Sequence, residues 1–79
     1  MKTKAYLRIP AGISPDPTRK TRQVIKVGTS LVLGTLRWLA RDGWRFYPNY
    51  QRSPSRRGWS TASEALKGYG IRLVGEGCN

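Results

Sequence analysis

The sequence predicts a small α+β domain, an antiparallel β-meander of three to five strands with one short helix. Three features indicate this fold. Residues 4–10 alternate apolar and polar side chains, and residues 22–27 are rich in β-branched ones, as is typical of strands. An Asp-Gly pair at positions 42–43 lies between two apolar segments, as in a β-hairpin. The segment 61–64, Thr-Ala-Ser-Glu, has the pattern of a helix capping box.

The length of 79 residues predicts a single domain over residues 1–79. Gly12, Pro15 and Pro17 exclude a regular element early in the chain and mark a loop. The predicted parts are an N-terminal strand with a proline-rich loop (1–21), the β-meander (22–60), a short helix (61–68), and a last strand with a flexible tail (69–79).

The apolar segment 31–40 fits either a strand or a helix. Ser30 would cap a helix and Gly43 would end it. Gly34 and Thr35 would weaken a helix, and the Asp-Gly turn that follows makes strand pairing consistent. We therefore favour a strand.

The faces of the predicted hairpin follow from the length of its loop. A three-residue loop, 41–43, places Gly43 in the left-handed conformation that this loop requires. The predicted pairs are then Ala40–Trp44, Trp38–Phe46 and Leu36–Pro48, which form one wholly apolar face. The opposite face carries Thr35, Arg37, Leu39, Arg45 and Tyr47. A slip of one residue would mix the two faces, so the hydrophobic pattern selects this register.

The segments after the hairpin complete the fold. Residues 56–60 are predicted to return as a strand beside the hairpin. Thr61 should cap the helix with Glu64 reaching back to it, and Leu66 should face the core. Residues 71–74 predict a final strand.

The charge balance is the strongest global feature of the sequence. Fifteen Lys and Arg residues oppose four acids, which gives a net charge of +11. Such a chain attracts polyanions, and arginine, twice as frequent here as lysine, pairs with phosphate and stacks on bases. No stretch approaches the length of a membrane span, and a single cysteine, Cys78, is compatible with the reducing cytoplasm.

The sequence offers no catalytic or metal-binding constellation. It has no histidine, and Ser and Thr therefore lack a base. The four acids are scattered, at Asp16, Asp42, Glu64 and Glu76. We expect a protein that is not an enzyme and has no cofactor, no metal and no small-molecule substrate.

The run LRWLARDGWRFYPNYQRSPSRRGWSTASEALKGYG, residues 36–70, resembles the arm-type DNA-binding domains of phage integrases and the related plant AP2-type domains. The shared cues are the Asp-Gly turn, the following Trp, a basic third strand and T-x-x-E-A at the start of the helix. In that family the sheet enters the major groove of DNA. The resemblance therefore implies a binding face made by Arg37, Arg45, Tyr47, Arg56 and Arg57. The long loop 49–55 and the very short helix depart from the family pattern.

The loop contributes two more candidate binding residues, Tyr50 and Arg52. Rings beside arginines are what a stacking platform for nucleic acid uses. The same arginines could instead simply solvate an exposed sheet face, and a tyrosine suits a strand by propensity alone.

The prediction for function is a small basic accessory protein of phage type in the host cytoplasm. It would bind nucleic acid, DNA rather than RNA, or a host nucleoprotein complex, and not a membrane. The alternative is an inhibitor of the anti-CRISPR kind, which docks on a host nucleic-acid-targeting defence complex and blocks its nucleic-acid site.

Overall fold

The chain forms a curled five-stranded sheet and one helix in a computed structural model that describes residues 2–10, 12, 19–50 and 52–74. The elements are β1 (Thr3–Arg8), β2 (Arg19–Lys26), β3 (Val32–Leu39), β4 (Gly43–Pro48), α1 (Ala62–Lys67) and β5 (Ile71–Leu73). The predicted α+β class is confirmed, and residues 31–40 supply a strand. Residues 13–18 of the proline-rich loop and Cys78 lie outside the described residues. Within the described ranges, no helix is long and apolar enough to cross a membrane.

The sheet has the order β4-β3-β2-β1-β5. Its first four strands form the predicted antiparallel meander, in which each strand pairs with the next. β5 pairs with β1 at the other edge and runs parallel to it, with Thr3 opposite Ile71. The chain reaches that edge through α1, which contacts both β4 and β5. The helix therefore lies across the inner face of the sheet.

The core fills the space between α1 and the inner face. Strand alternation directs apolar side chains inward at every second position, and α1 adds its own apolar stripe. The buried core residues are Ala5, Val24, Leu36, Trp44, Phe46, Ala62, Ala65, Leu66 and Leu73. Phe46 lies against Gly34, where a Cβ atom would be 2.5 Å from the nearest atom of the Phe46 ring. Gly34, which argued against a helix for residues 31–40, therefore leaves room for Phe46, the largest fully buried side chain.

The hairpin faces are as predicted, but the predicted register is wrong by two residues. Leu39 pairs with Gly43, Trp38 with Trp44, and Arg37 with Arg45, so the loop is 40–42 and not 41–43. A shift of two residues returns every side chain to its own face. The alternation of apolar residues fixes the faces and cannot distinguish registers that differ by two.

The predicted returning strand, 56–60, is reduced to a single paired residue. Trp59 exchanges two backbone hydrogen bonds with Trp44, of 2.7 and 2.8 Å. Further along, Ser55 takes the place of a strand residue: its backbone N–H donates to the Phe46 carbonyl, and its hydroxyl accepts from the Phe46 N–H, both at 3.0 Å. Residues 55–59 therefore cover the edge of β4 without forming a strand.

The helix begins as the capping box predicts. The Thr61 hydroxyl accepts from the Glu64 backbone N–H at 3.2 Å and donates to the Glu64 carboxylate at 3.0 Å. The carboxylate therefore reaches back to the Thr61 side chain. Leu66 is fully buried, which confirms its predicted place in the core.

Replacing Gly43 with alanine should destabilise the protein through both backbone strain and steric overlap. Gly43 has φ +87°, and a Cβ there would overlap the carbonyl oxygen of Trp59. Gly28 has a similar φ of +81° with nothing within 4 Å of a Cβ, so Gly28→Ala measures the strain alone, about 1 kcal/mol. We expect Gly43→Ala to lower the free energy of unfolding by a further ~1–3 kcal/mol, measured by urea denaturation. Equal losses for the two variants would contradict the close approach of residue 59 to the hairpin.

Candidate functional site

The predicted binding residues lie on two neighbouring surfaces. Arg37, Arg45 and Tyr47 lie on the side of β3 and β4 that points away from α1, here called the outer face. Arg52, Arg56 and Arg57 line an open groove of about 620 Å³ between residues 52–57 and α1, here called the helix groove. Tyr50 lines neither surface and is 55% exposed on the loop between them.

The two arginines of the outer face lie directly opposite each other, and not diagonally as the predicted register implied. Like charges at opposite positions are destabilising unless they separate. The Arg37 guanidinium lies 5.5 Å from the centre of the Tyr47 ring. Arg45 leans the other way and donates from Nη2 to the Arg56 carbonyl oxygen at 2.8 Å. The strands therefore present two cations that diverge.

A pocket of about 290 Å³ lies at this position. Its lining residues are Lys20, Thr21, Arg37, Trp38, Leu39, Gly43, Arg45 and Tyr47. Arg37 and Arg45 supply two cations to this concavity, beside Thr21 and Tyr47, and none of its described lining residues is an acid. Lys20 also lines it, but its ammonium group lies over the Trp38 ring, 5.1 Å from the ring centre. This set of groups suits an anion with several oxygen atoms.

Arg45 has a donor without an acceptor. Its Nε atom is buried and makes no hydrogen bond within the structure described here. A buried unpaired N–H costs free energy, so an acceptor oxygen brought by a ligand would be favoured there once the side chain shifts. Arg45 therefore connects the outer face to the Arg56 backbone and keeps one donor, the Nε N–H group, for an acceptor on a ligand.

Two aromatic rings of the helix groove were not among the predicted site residues. The Arg57 guanidinium lies 3.9 Å from the centre of the Trp59 ring. Tyr69 packs edge-on against Phe46, with ring centres 4.8 Å apart, and its hydroxyl donates to the Ser53 carbonyl at 2.7 Å. The Tyr69 contacts join segments that are distant in sequence, so no local pattern marks them. Arg57 and Trp59 are two residues apart, a spacing that places both side chains on one side of an extended segment.

Arg52 is engaged in holding the groove together. It donates to the carbonyl oxygens of Tyr69 at 3.2 Å and Gly68 at 3.4 Å, and it lies 4.9 Å from the centre of the Tyr69 ring. These carbonyls follow the last turn of α1, where a cation is favourable. Arg52 therefore stabilises the loop against the helix.

Three arginines keep their donors available. Arg37, Arg56 and Arg57 are exposed, and their guanidinium groups form no hydrogen bond to another described residue. The residues whose side chains are described include two acids, Asp42 and Glu64, and fourteen of the fifteen Lys and Arg. The surface around both sites is therefore strongly positive. Among the described residues, no three side chains of His, Cys, Asp or Glu come together as a metal site would require.

No protein-family model, no curated protein and no solved structure matches this chain. The two surfaces themselves therefore provide the basis for a functional proposal.

Replacing Arg52 with alanine should reduce stability, because the variant loses two hydrogen bonds to the end of α1 and a ring contact. We expect a loss of about 1 kcal/mol in the free energy of unfolding. Arg56→Ala is the matched control, since the Arg56 side chain has no such partners, and its effect should stay within ~0.5 kcal/mol. Equal stability of the two variants in urea denaturation would contradict the anchoring role of Arg52.

Proposed function

We propose that this protein binds nucleic acid, DNA in preference to RNA, or a nucleoprotein complex, through its outer face. The observation that carries the proposal is the pairing of Arg37 with Arg45 beside Tyr47, around a pocket lined by cations and hydroxyl groups. Binding, and not catalysis, is the activity that these groups support.

A phosphate backbone suits this surface chemically. A guanidinium offers parallel N–H donors to two phosphate oxygens, and release of condensed counterions adds to the affinity. Tyr47 supplies a ring at the same level as the arginines, on which a base or sugar can pack. A face that served only for solubility would not need two cations opposite each other.

The wider role that we propose rests on the resemblance of residues 36–70 to phage integrase arm-type and AP2-type domains. It supports DNA as the ligand and an accessory role of phage type in the host cytoplasm. An inhibitor of a nucleic-acid-targeting defence complex would use the same cations against an acidic protein surface or against the bound nucleic acid.

Affinity for duplex DNA should fall steeply as salt rises. If the cations on and around the outer face contact roughly four phosphates of the duplex, the slope of log affinity against log salt should be about −3.6. Fluorescence anisotropy with a labelled duplex across a salt series measures the slope.

Absence of binding to DNA and RNA at low salt would contradict the proposal. A protein complex that binds the purified chain directly after nuclease treatment would then favour the inhibitor.

Replacing Arg37 and Arg45 together with glutamine should weaken DNA binding by about tenfold or more, since two charge-assisted contacts are lost. The matched control is Lys2→Gln with Lys4→Gln, which removes the same charge from exposed positions just before and within β1, a strand that β2 separates from the β3–β4 hairpin. Equal losses in the two double variants would show that net charge alone drives association and that the outer face is not the site. Thermal unfolding of both variants checks that the fold is retained.

A further inference from the structure

The helix groove is a second concavity, separate from the outer face, and the proposed binding at the outer face gives it no role. It is the larger of the two concavities, about 620 Å³, and falls in the range of roughly 300–1,000 Å³ typical of ligand pockets. It lies on the α1 side of the β4 edge, so a duplex resting on the outer face would not fill it. Its lining combines rings, arginines and one acid.

The walls of the groove are held in place before any ligand arrives. Tyr69 is fixed by its edge contact with Phe46 and by its hydrogen bond to Ser53. Arg52 ties the loop to the end of α1. A preformed site loses less conformational entropy on binding.

Arg57 and Trp59 form a cation–π pair in the lining of the groove. The separation of 3.9 Å places the guanidinium in contact with the ring. Arg57 is exposed and lines the groove, so the side of its guanidinium turned away from Trp59 is open. An arginine plane supported in this way is a surface on which a nucleobase can stack.

Polar groups of the groove complement the rest of a nucleotide. Arg56 lines the groove with its guanidinium donors unpaired within the described structure, and it can take a phosphate. Glu64 also lines the groove, and its carboxylate accepts from the Thr61 hydroxyl with further acceptor capacity remaining. A carboxylate at this position suits the N–H groups of a base edge.

The two surfaces are joined by a short route over the β4 edge. Arg45 on the outer face donates to the carbonyl of Arg56, whose side chain reaches the groove. A base that remains paired cannot enter the groove, because it must first be unstacked from the duplex. Unstacking costs a few kcal/mol, as base-flipping enzymes illustrate. The route therefore suits a nucleic-acid strand that has already separated from the duplex.

We infer that the helix groove binds one unpaired nucleotide, with its base stacked on Arg57 and its phosphate on Arg56. The inference rests on the proposed binding of nucleic acid to the outer face. The protein then recognises a junction between duplex and single strand, and not duplex DNA alone.

The test compares two labelled DNA probes: a duplex with a short single-stranded extension, and a blunt duplex lengthened to the same number of phosphates. We expect the wild-type protein to bind the extended probe about fivefold or more tightly, as one stacked base contributes. Arg57→Lys keeps the charge and removes the stacking plane, so it should abolish this preference by weakening the binding of the extended probe. Arg72→Lys, at an exposed position on β5 away from the groove, is the matched control and should keep the preference.

Each result has a defined meaning. Loss of the preference in Arg57→Lys, with the preference kept in Arg72→Lys, supports nucleotide binding in the groove. Equal affinity of the wild-type protein for both probes overturns nucleotide binding in the groove and leaves the proposed binding at the outer face intact. A preference that survives in Arg57→Lys has the same meaning. No binding of either probe at low salt overturns the proposed function itself. Matching melting temperatures for the variants establish that they are folded.

Discussion

The paired backbone hydrogen bonds between Trp44 and Trp59 hold the segment after the hairpin against the edge of β4. This contact requires a very close approach of two backbones, since a Cβ on Gly58 would overlap the Asp42 carbonyl and one on Gly43 would overlap that of Trp59. It also protects the edge of the sheet, which would otherwise present unpaired backbone groups for association with another chain.

Both candidate surfaces depend on that contact. With Trp59 fixed, the Arg56 carbonyl lies where Arg45 can donate to it, and the Trp59 ring lies beneath Arg57. The same segment leads directly into Thr61, so the start of α1 is placed by it as well. Residues 55–59, which fold back along β4, therefore contribute to both the outer face and the helix groove.

The sequence predicted the features that are encoded locally. The Asp-Gly turn, the alternation of β3 and β4, and the capping box at Thr61 each depend on a few neighbouring residues, and all three are present in the structure. The outer position of Arg37 and Arg45 followed from the alternation alone. The parts that depend on distant contacts were missed or shifted.

Those misses have specific physical causes. The register differed by two residues because alternation has a period of two. The returning strand became a single bridge because Ser55 contacts β4, and Gly58 the hairpin loop at Asp42, in ways that strand propensity does not describe. The parallel pairing of β5 with β1 needs a crossover that only the packing of α1 explains. The hydrogen bonds of Arg52 to the end of α1 were not predicted because they join residues 16 and 17 positions apart, and the predicted binding role of Arg52 stays a prediction.

The excess of positive charge is accommodated by aromatic rings as well as by solvent. Among the described residues, cations lie over rings in the pairs Lys20–Trp38, Arg37–Tyr47, Arg52–Tyr69 and Arg57–Trp59. A carboxylate partner would neutralise a cation and occupy its donors, whereas a ring attracts it through the quadrupole of one face. The ring therefore orients Arg37 or Arg57 while leaving its charge and its N–H groups directed outward. Because the rings do not neutralise the cations, this surface keeps its positive charge and can attract a polyanion. An equal number of salt bridges would cancel that charge.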